Sequence, residues 1–135
     1  MNVSLFDQLR QLDLPVSGYA IFGSGPLVIR GIIPLANDLD ILCRRDVWDR
    51  VSCLGKTRFL QEYDVTVAEL ADGAITFGSE WGIGNFDVDE LIDTAEVIDG
   101  LPFVRLVHVV AYKNIRRSAK DILHLDALSA SALLR

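Results

Sequence analysis

Short apolar runs alternate along the chain with apolar residues at helical spacing. Tyr19–Phe22 is an apolar run between two glycines, which predicts a buried strand, and Asp38–Leu42 alternates polar and apolar residues, which predicts a second one. Leucines recur at helical spacing in Ser4–Leu12, and Arg45–Leu54 carries one apolar helical face. We therefore expect an α+β (α/β-like) fold, a small mixed β-sheet with helices packed on it.

The second half of the chain predicts a hairpin and two closing helices. Strand-like residues over 59–77 flank an Asp72-Gly73 turn, which is typical of a β-hairpin. The other predicted elements are a helix over Leu27–Ile33, a helix capped by Asp87, short edge strands at Glu96–Ile98 and Phe103–Val104, and helices over Leu106–Arg117 and Ser118–Leu134.

Length and composition indicate one ordinary globular domain. The chain has 135 residues, 50% of them hydrophobic and 24% charged, so we expect a single domain over residues 1–135. A net charge of −6 argues against generic duplex DNA binding, which favours a basic surface. Arg30 and Arg105 interrupt the longest apolar stretches, the N-terminus lacks a signal-peptide pattern and only two cysteines occur. These features predict a cytoplasmic protein without a membrane segment.

Charge is segregated in the last third of the chain. Residues 80–99 hold seven acids and no Lys or Arg, whereas residues 105–120 hold five bases and no acid. Two interpretations stay open: the segments form two solvated faces that attract each other, or the acidic segment 80–99 faces a basic protein partner.

A glycine-rich turn follows the first predicted strand. Gly23-Ser24-Gly25 lies between a strand and a helix, and such a turn offers free backbone N–H groups at the helix N-terminus, a natural site for phosphate oxygens. The Ser24 hydroxyl adds one further donor. Such turns are common and most bind nothing, so this motif indicates phosphate binding only if another functional motif lies nearby.

Two acidic residues in the second predicted strand supply that second motif. Asp38 and Asp40 are two positions apart, so both carboxylates project from one face while Leu39 and Ile41 fill the core. Two adjacent carboxylates repel each other and favour a cation between them, and Mg²⁺ prefers such hard oxygen ligands. A charge pair at the end of a strand is the alternative interpretation.

These motifs together resemble a known family. Gly23-Ser24, a helix and then Asp38-x-Asp40 in a strand are similar to the signature of the nucleotidyltransferase superfamily, in the minimal form related to DNA polymerase beta. The resemblance runs roughly from residue 17 to 128. The end of the chain resembles the stand-alone prokaryotic branch, which includes members of abortive-infection and toxin–antitoxin pairs, in the residues Gly100-Leu101-Pro102, Leu106–Lys113, Arg117 and Lys120-Asp121.

The resemblance implies roles for particular residues. Gly23 and Ser24 would hold a nucleoside triphosphate, and Asp38 and Asp40 would be catalytic and bind Mg²⁺, while an acceptor oxygen attacks the α-phosphorus and pyrophosphate leaves. Second-rank phosphate partners are Lys113, Arg117 and Lys120.

Two features of the closing helices leave the role of these bases open. On a continuous helix Lys113, Arg117 and Lys120 would share one face, and a break near Ser118 would separate them. Ser118 and Asp121 also have the spacing of a capping box, in which case the bases simply lie in water.

Two departures from the family pattern favour weak or absent transfer. Thr76 stands where a third carboxylate is expected, with Asp64 as the substitute under another strand register. His124 stands where this branch often carries Asp. The leading hypothesis is therefore Mg²⁺-dependent triphosphate binding with weakened transfer. The alternative is a non-catalytic interaction module, such as the nucleotidyltransferase-like partner of a toxin–antitoxin pair.

Overall fold

One mixed β-sheet forms the centre of the molecule. The computed structural model describes residues 4–34, 38–79 and 87–131. Within these ranges the strands are β1 (Tyr19–Phe22), β2 (Leu39–Cys43), β3 (Lys56–Leu60), β4 (Val65–Leu70), β5 (Ile75–Gly78), β6 (Glu96–Ile98) and β7 (Leu101–Phe103). Their order across the sheet is β3-β4-β5-β2-β1-β7-β6. The predicted β1, β2 and the β4–β5 hairpin are confirmed.

Strand β2 lies near the middle of the sheet. It pairs with β1 antiparallel and with β5 parallel. Strand β7 pairs with β1 parallel, and the remaining neighbours are antiparallel. The expectation that Phe103 belongs to an edge strand is wrong, because β7 lies between β1 and β6 and only β6 is at that edge.

The helices of the described chain cover both faces of the sheet. They are α1 (Leu5–Gln11), α2 (Gly25–Val28), α3 (Arg45–Leu54), α4 (Val88–Asp93), α5 (Leu106–Arg116) and α6 (Ala119–Ala130). Ser4 caps α1 by accepting from the Asp7 N–H, and Asp87 caps α4 by accepting from two backbone N–H groups. None of these helices is long and apolar enough to cross a membrane. The α+β prediction, with helices packed on a mixed sheet, is confirmed.

Alternation along the central strands produces two separate cores. Ile21 and Ile41 face a core with residues of α1 and α3. Phe22 and Leu42 face the opposite core, with residues of α4 and α5. Phe22 is the partner of Asp40 in the β1–β2 pairing, so Asp40 lies on the second face while its neighbours Leu39 and Ile41 are buried in the first core.

Helix α2 is shorter than the sequence pattern predicts. A helix was expected over Leu27–Ile33, but α2 ends at Val28. Gly31 has a φ of +72°, its N–H donates to the Val28 carbonyl, and the Ile32 N–H donates to the Leu27 carbonyl. This pair of bonds is a Schellman motif, in which a left-handed glycine ends a helix.

The closing helices are separated by a sharp break. Arg117 adopts the left-handed conformation, with φ 47° and ψ 40°, and Ser118 and Asp121 form a capping box at the start of α6. The continuous helix that would align Lys113, Arg117 and Lys120 on one face is therefore absent between α5 and α6.

Three of the six described acids of segment 80–99 form ion pairs with bases outside residues 105–120. Asp89 and Asp93 form ion pairs with Arg44, and Glu96 lies 3.5 Å from Arg30. The two-face interpretation therefore does not account for these acids. Residues 80–86 of the segment lie outside the described residues.

Candidate active site

The turn after β1 lies directly against a carboxylate of β2. Gly23 is buried, has a φ of +63°, and a Cβ built on it would lie 3.1 Å from Asp40 Oδ2. A side chain at Gly23 would therefore be strained in its backbone and crowded by Asp40. The two predicted motifs meet here because β1 and β2 pair antiparallel, with Phe22 opposite Asp40.

Asp38 and Asp40 have different surroundings. Asp38 lies just before β2 with a half-exposed side chain, and its Oδ1 is 4.0 Å from Lys120 Nζ. Asp40 lies within β2 and is partly buried. The first carboxylate is thus more open to solvent than the second.

The pKa of Asp40 is raised from 3.8 to about 6, first by burial and then by the charge of Asp38, against Lys120, Arg116 and Lys113, which lower it. Desolvation and a like charge both penalise the ionised carboxylate. The positive charges of the nearby bases compensate only part of this penalty. Binding of an additional cation at the site would therefore be favourable.

The chemistry of the donors suits a single Mg²⁺ ion. Two carboxylates supply hard oxygen ligands, and Mg²⁺ commonly completes its shell with water and substrate phosphates. Among the residues that the structure describes, no group of three or more His, Cys, Asp or Glu side chains is close enough to hold a metal on its own. Asp38 and Asp40 could hold the ion only together with a ligand's oxygens.

Thr76 lies beside Asp40, as the strand register predicted. It is the partner of Asp40 in the β2–β5 pairing and the partner of Glu69 in the β4–β5 pairing. Asp64 precedes β4 in a turn with φ +54°. It therefore lies several residues along β4 from Glu69, the partner of Thr76, and is not beside Asp40. A neutral hydroxyl therefore occupies the position next to Asp40. Glu69, the carboxylate one strand further out, is paired with Arg58 at 3.0 Å.

The three predicted bases lie in three different environments. Lys113 is buried, with its Nζ 3.3 Å from Asp121 Oδ1 and 3.1 Å from His124 Nδ1. Lys120 is half-exposed and is the base near Asp38. Arg117 is exposed and donates to Asn114 Oδ1 at 3.1 Å. Lys120 is thus the best placed of the three to meet a phosphate.

Sequence reasoning missed the network behind these bases. Asp121 accepts from Lys113, Arg116 and Ser118, and Arg116 also donates to the Tyr112 hydroxyl at 3.3 Å. The capping-box spacing of Ser118 and Asp121 signalled part of this network, but nothing in the local pattern indicated that Arg116, rather than Arg117, turns towards Asp121.

Comparison with solved structures shows which known fold this architecture resembles. The structure is similar to the crystal structure of a Thermotoga maritima protein that is provisionally named a nucleotidyltransferase, with a TM-score of 0.54 over 96% of this chain and 98% of that one. The chain has a nucleotidyltransferase-like fold. The sequence identity is 15%, so the likeness concerns the fold. The sequence matches no protein-family model and no curated protein.

Within this nucleotidyltransferase-like fold, the geometry around Asp40 carries the functional argument. The structure brings together Gly23, Asp40 and Thr76, and it brings Lys120 to Asp38. Among the described contacts, the side chain of Arg117 reaches Asn114 and none of these residues. The roles given to these residues stay predictions.

Proposed function

We propose that this protein binds a nucleoside triphosphate together with Mg²⁺ between the Gly23-Ser24 turn and the carboxylates of Asp38 and Asp40. The observation that carries the proposal is the 3.1 Å approach of Asp40 Oδ2 to the Cβ position of Gly23. Without a side chain at Gly23, phosphate oxygens can approach the backbone and the carboxylate edge at the same point.

The charges around this point support an anionic ligand that arrives with a cation. A triphosphate would be repelled by two carboxylates, one of which already has a raised pKa. Mg²⁺, when bound, would neutralise both groups and polarise the phosphate oxygens. Lys120 adds a positive charge beside Asp38, where it is free to turn from the carboxylate to a phosphate.

The residues of this chain would act mainly by binding and orienting. The turn would hold phosphate oxygens, and Asp38 and Asp40 would fix the ligand's position. In a transfer reaction an acceptor oxygen forms a bond to the α-phosphorus, the bond to the bridging oxygen breaks, and pyrophosphate leaves while the acceptor proton passes to solvent. Thr76 beside Asp40 offers no carboxylate to assist that deprotonation. Binding without efficient transfer is therefore the expected behaviour.

A thermal-shift panel tests this proposal. Wild-type protein is heated with ATP, GTP, CTP or UTP, each with Mg²⁺ and with EDTA, and pyrophosphate release is measured in parallel. We expect at least one triphosphate to raise the Tm only with Mg²⁺, and the double variant Asp38→Asn/Asp40→Asn to lose that shift. A matched variant, Asp49→Asn/Asp126→Asn, removes two exposed charges and should keep it. A shift of equal size in the Asp38/Asp40 variant would refute the site.

A non-catalytic interaction module is the second candidate function. Two observations favour it: a threonine, Thr76, and not a carboxylate pairs with Asp40, and α5 and α6 expose the large apolar side chains Val107, Ile115 and Leu123. Robust release of pyrophosphate by the wild-type protein would argue against this candidate. The acidic segment 80–99 remains the proposed surface for a basic partner.

A further inference from the structure

One ring nitrogen joins three distant parts of the chain. His124 in α6 lies with its Nδ1 3.1 Å from the Nζ of Lys113 in α5 and 3.5 Å from the Oγ of Ser24 after β1. The buried end of the closing helices therefore contacts the same turn that approaches Asp40.

The chemistry of the three groups determines which of them donates. A lysine ammonium has three donors and no acceptor, so Nδ1 must accept from Lys113 and the ring proton must lie on Nε2. Nδ1 has a single lone pair, and the shorter of its two contacts is the one with Lys113. The hydroxyl proton of Ser24 is left for another acceptor.

The surroundings of His124 support a neutral ring. Burial lowers its pKa, and the charges of Lys113, Lys120 and Arg116 lower it as well, against Asp121, which raises it. Burial lowers the pKa of Lys113, whereas Asp121, whose Oδ1 lies 3.3 Å from its Nζ, raises it and favours the ammonium form. At neutral pH the ring is thus neutral, accepts from Lys113 through Nδ1, and lies in contact with the Ser24 hydroxyl without binding its proton.

Ser24 is not occupied by the helix that it precedes. Within the described chain its backbone carbonyl accepts from Leu27 and Val28, while its side chain makes no capping hydrogen bond to α2. Its hydroxyl therefore has no local structural role that would explain its orientation towards His124.

We propose that His124 is a positioning residue for triphosphate binding: Lys113 occupies its Nδ1, its ring packs against the Ser24 turn at 3.5 Å, and the Ser24 hydroxyl is thereby left to donate to a phosphate oxygen. This role rests on the proposed function. It assigns Lys113 to the support of the turn, and it leaves direct phosphate contact to Ser24 and Lys120.

Nitrogen NMR of the ring tests the hydrogen-bond chain without any nucleotide. In ¹⁵N-labelled wild-type protein at pH 7.5, His124 should have a protonated Nε2 and a bare Nδ1, and Lys113→Met should alter its Nδ1 signal. The second histidine of the chain, His108, is the internal reference, assigned with His108→Asn. A protonated Nδ1 on neutral His124 would overturn the proposed arrangement.

A double-mutant cycle tests the positioning role. Affinity for the triphosphates with Mg²⁺ is measured for Ser24→Ala, His124→Leu and their combination. His124→Leu should weaken binding of all four nucleotides by the same factor, about tenfold, because the Ser24 hydroxyl is no longer positioned and roughly one hydrogen bond to phosphate is lost. The double variant should be no weaker than the weaker single one, because His124 acts through Ser24.

Two further variants separate positioning from general damage. Asparagine places an acceptor oxygen close to the position of Nδ1, so His124→Asn should restore most of the affinity, and His108→Leu should leave it unchanged. Binding that is unaffected by His124→Leu, or fully additive losses in the double variant, would overturn this inference alone. Absence of triphosphate binding by the wild-type protein would overturn the proposed function, and the role in binding with it.

Discussion

Gly23 is constrained both by its backbone and by its neighbour Asp40. Gly23 and Gly31 have similar positive φ values, +63° and +72°, but a Cβ at Gly31 meets nothing within 4 Å. Gly31→Ala should therefore cost only the left-handed strain of about 1 kcal/mol, whereas Gly23→Ala should cost more and also weaken triphosphate binding. Urea unfolding of both variants measures the difference. Equal losses would show that the contact with Asp40 is unimportant.

Asp40 predicts an unusual pH dependence of stability. Burial and Asp38 raise its pKa from 3.8 to about 6, so between these values the folded state binds more protons than the unfolded chain. Unfolding free energy should then fall as pH rises through this window, by at most about 3 kcal/mol for this group.

Asp40→Asn removes that penalty. In EDTA at pH 8 the variant should be more stable than the wild type, and the difference should vanish below about pH 3, where Asp40 is protonated in both states. Urea titrations across this range check the prediction, with the exposed Asp126→Asn as the control. A variant less stable than the wild type at pH 8 would contradict it.

Thr76 is the residue at which catalytic capacity can be changed. Its pairing with Asp40 places residue 76 on the same face of the sheet, so Thr76→Asp adds a carboxylate to the pair. We expect tighter Mg²⁺ binding and lower stability without metal, because a third negative charge is added. Calorimetric titration with Mg²⁺ and a pyrophosphate assay measure both effects; unchanged Mg²⁺ affinity would show that residue 76 does not face the ion.

At the scale of secondary-structure elements, Asp121 holds α5 and α6 together. Its buried carboxylate accepts from Lys113 and Arg116 of α5 and completes the capping box of α6. Asp121→Asn leaves the buried Lys113 ammonium without its charged partner and should cost about 3–5 kcal/mol. Asp126→Asn, an exposed change on the same helix, should cost little. Urea unfolding compares the two; similar values would contradict a structural role for Asp121.

Elements defined by local patterns could be predicted from the sequence. The bounds of β1 and α3 follow from an apolar run and an apolar helical face, and both were confirmed. The end of α2 at Val28 was harder, because it depends on the left-handed Gly31 after a stretch of helical pattern. The break between α5 and α6 was indicated by the Ser118–Asp121 capping box, whereas the left-handed conformation of Arg117 has no sequence signal.

At the scale of the whole molecule, the site was only partly predictable. Asp40 and the Gly23 turn lie on adjacent strands, so their proximity follows from the short connection between them. The contact of His124 with Ser24 and Lys113 depends on how the closing helices pack, which no local pattern encodes. The helical spacing of the closing segment suggested Lys113 as a phosphate partner. In the structure Lys113 is buried and contacts Asp121 and His124.

The most direct test of the central claim is to locate the metal. Mn²⁺ replaces Mg²⁺ in complex with the best-binding triphosphate, and amide signals of the ¹⁵N-labelled protein are recorded, since a paramagnetic ion broadens nearby nuclei. The account predicts broadening that is strongest at Gly23, Ser24, Asp40 and Thr76, weaker at Val97 on the edge strand, and abolished by Asp38→Asn/Asp40→Asn. Broadening centred on the acidic segment 80–99, with Gly23 and Asp40 unchanged, would contradict it.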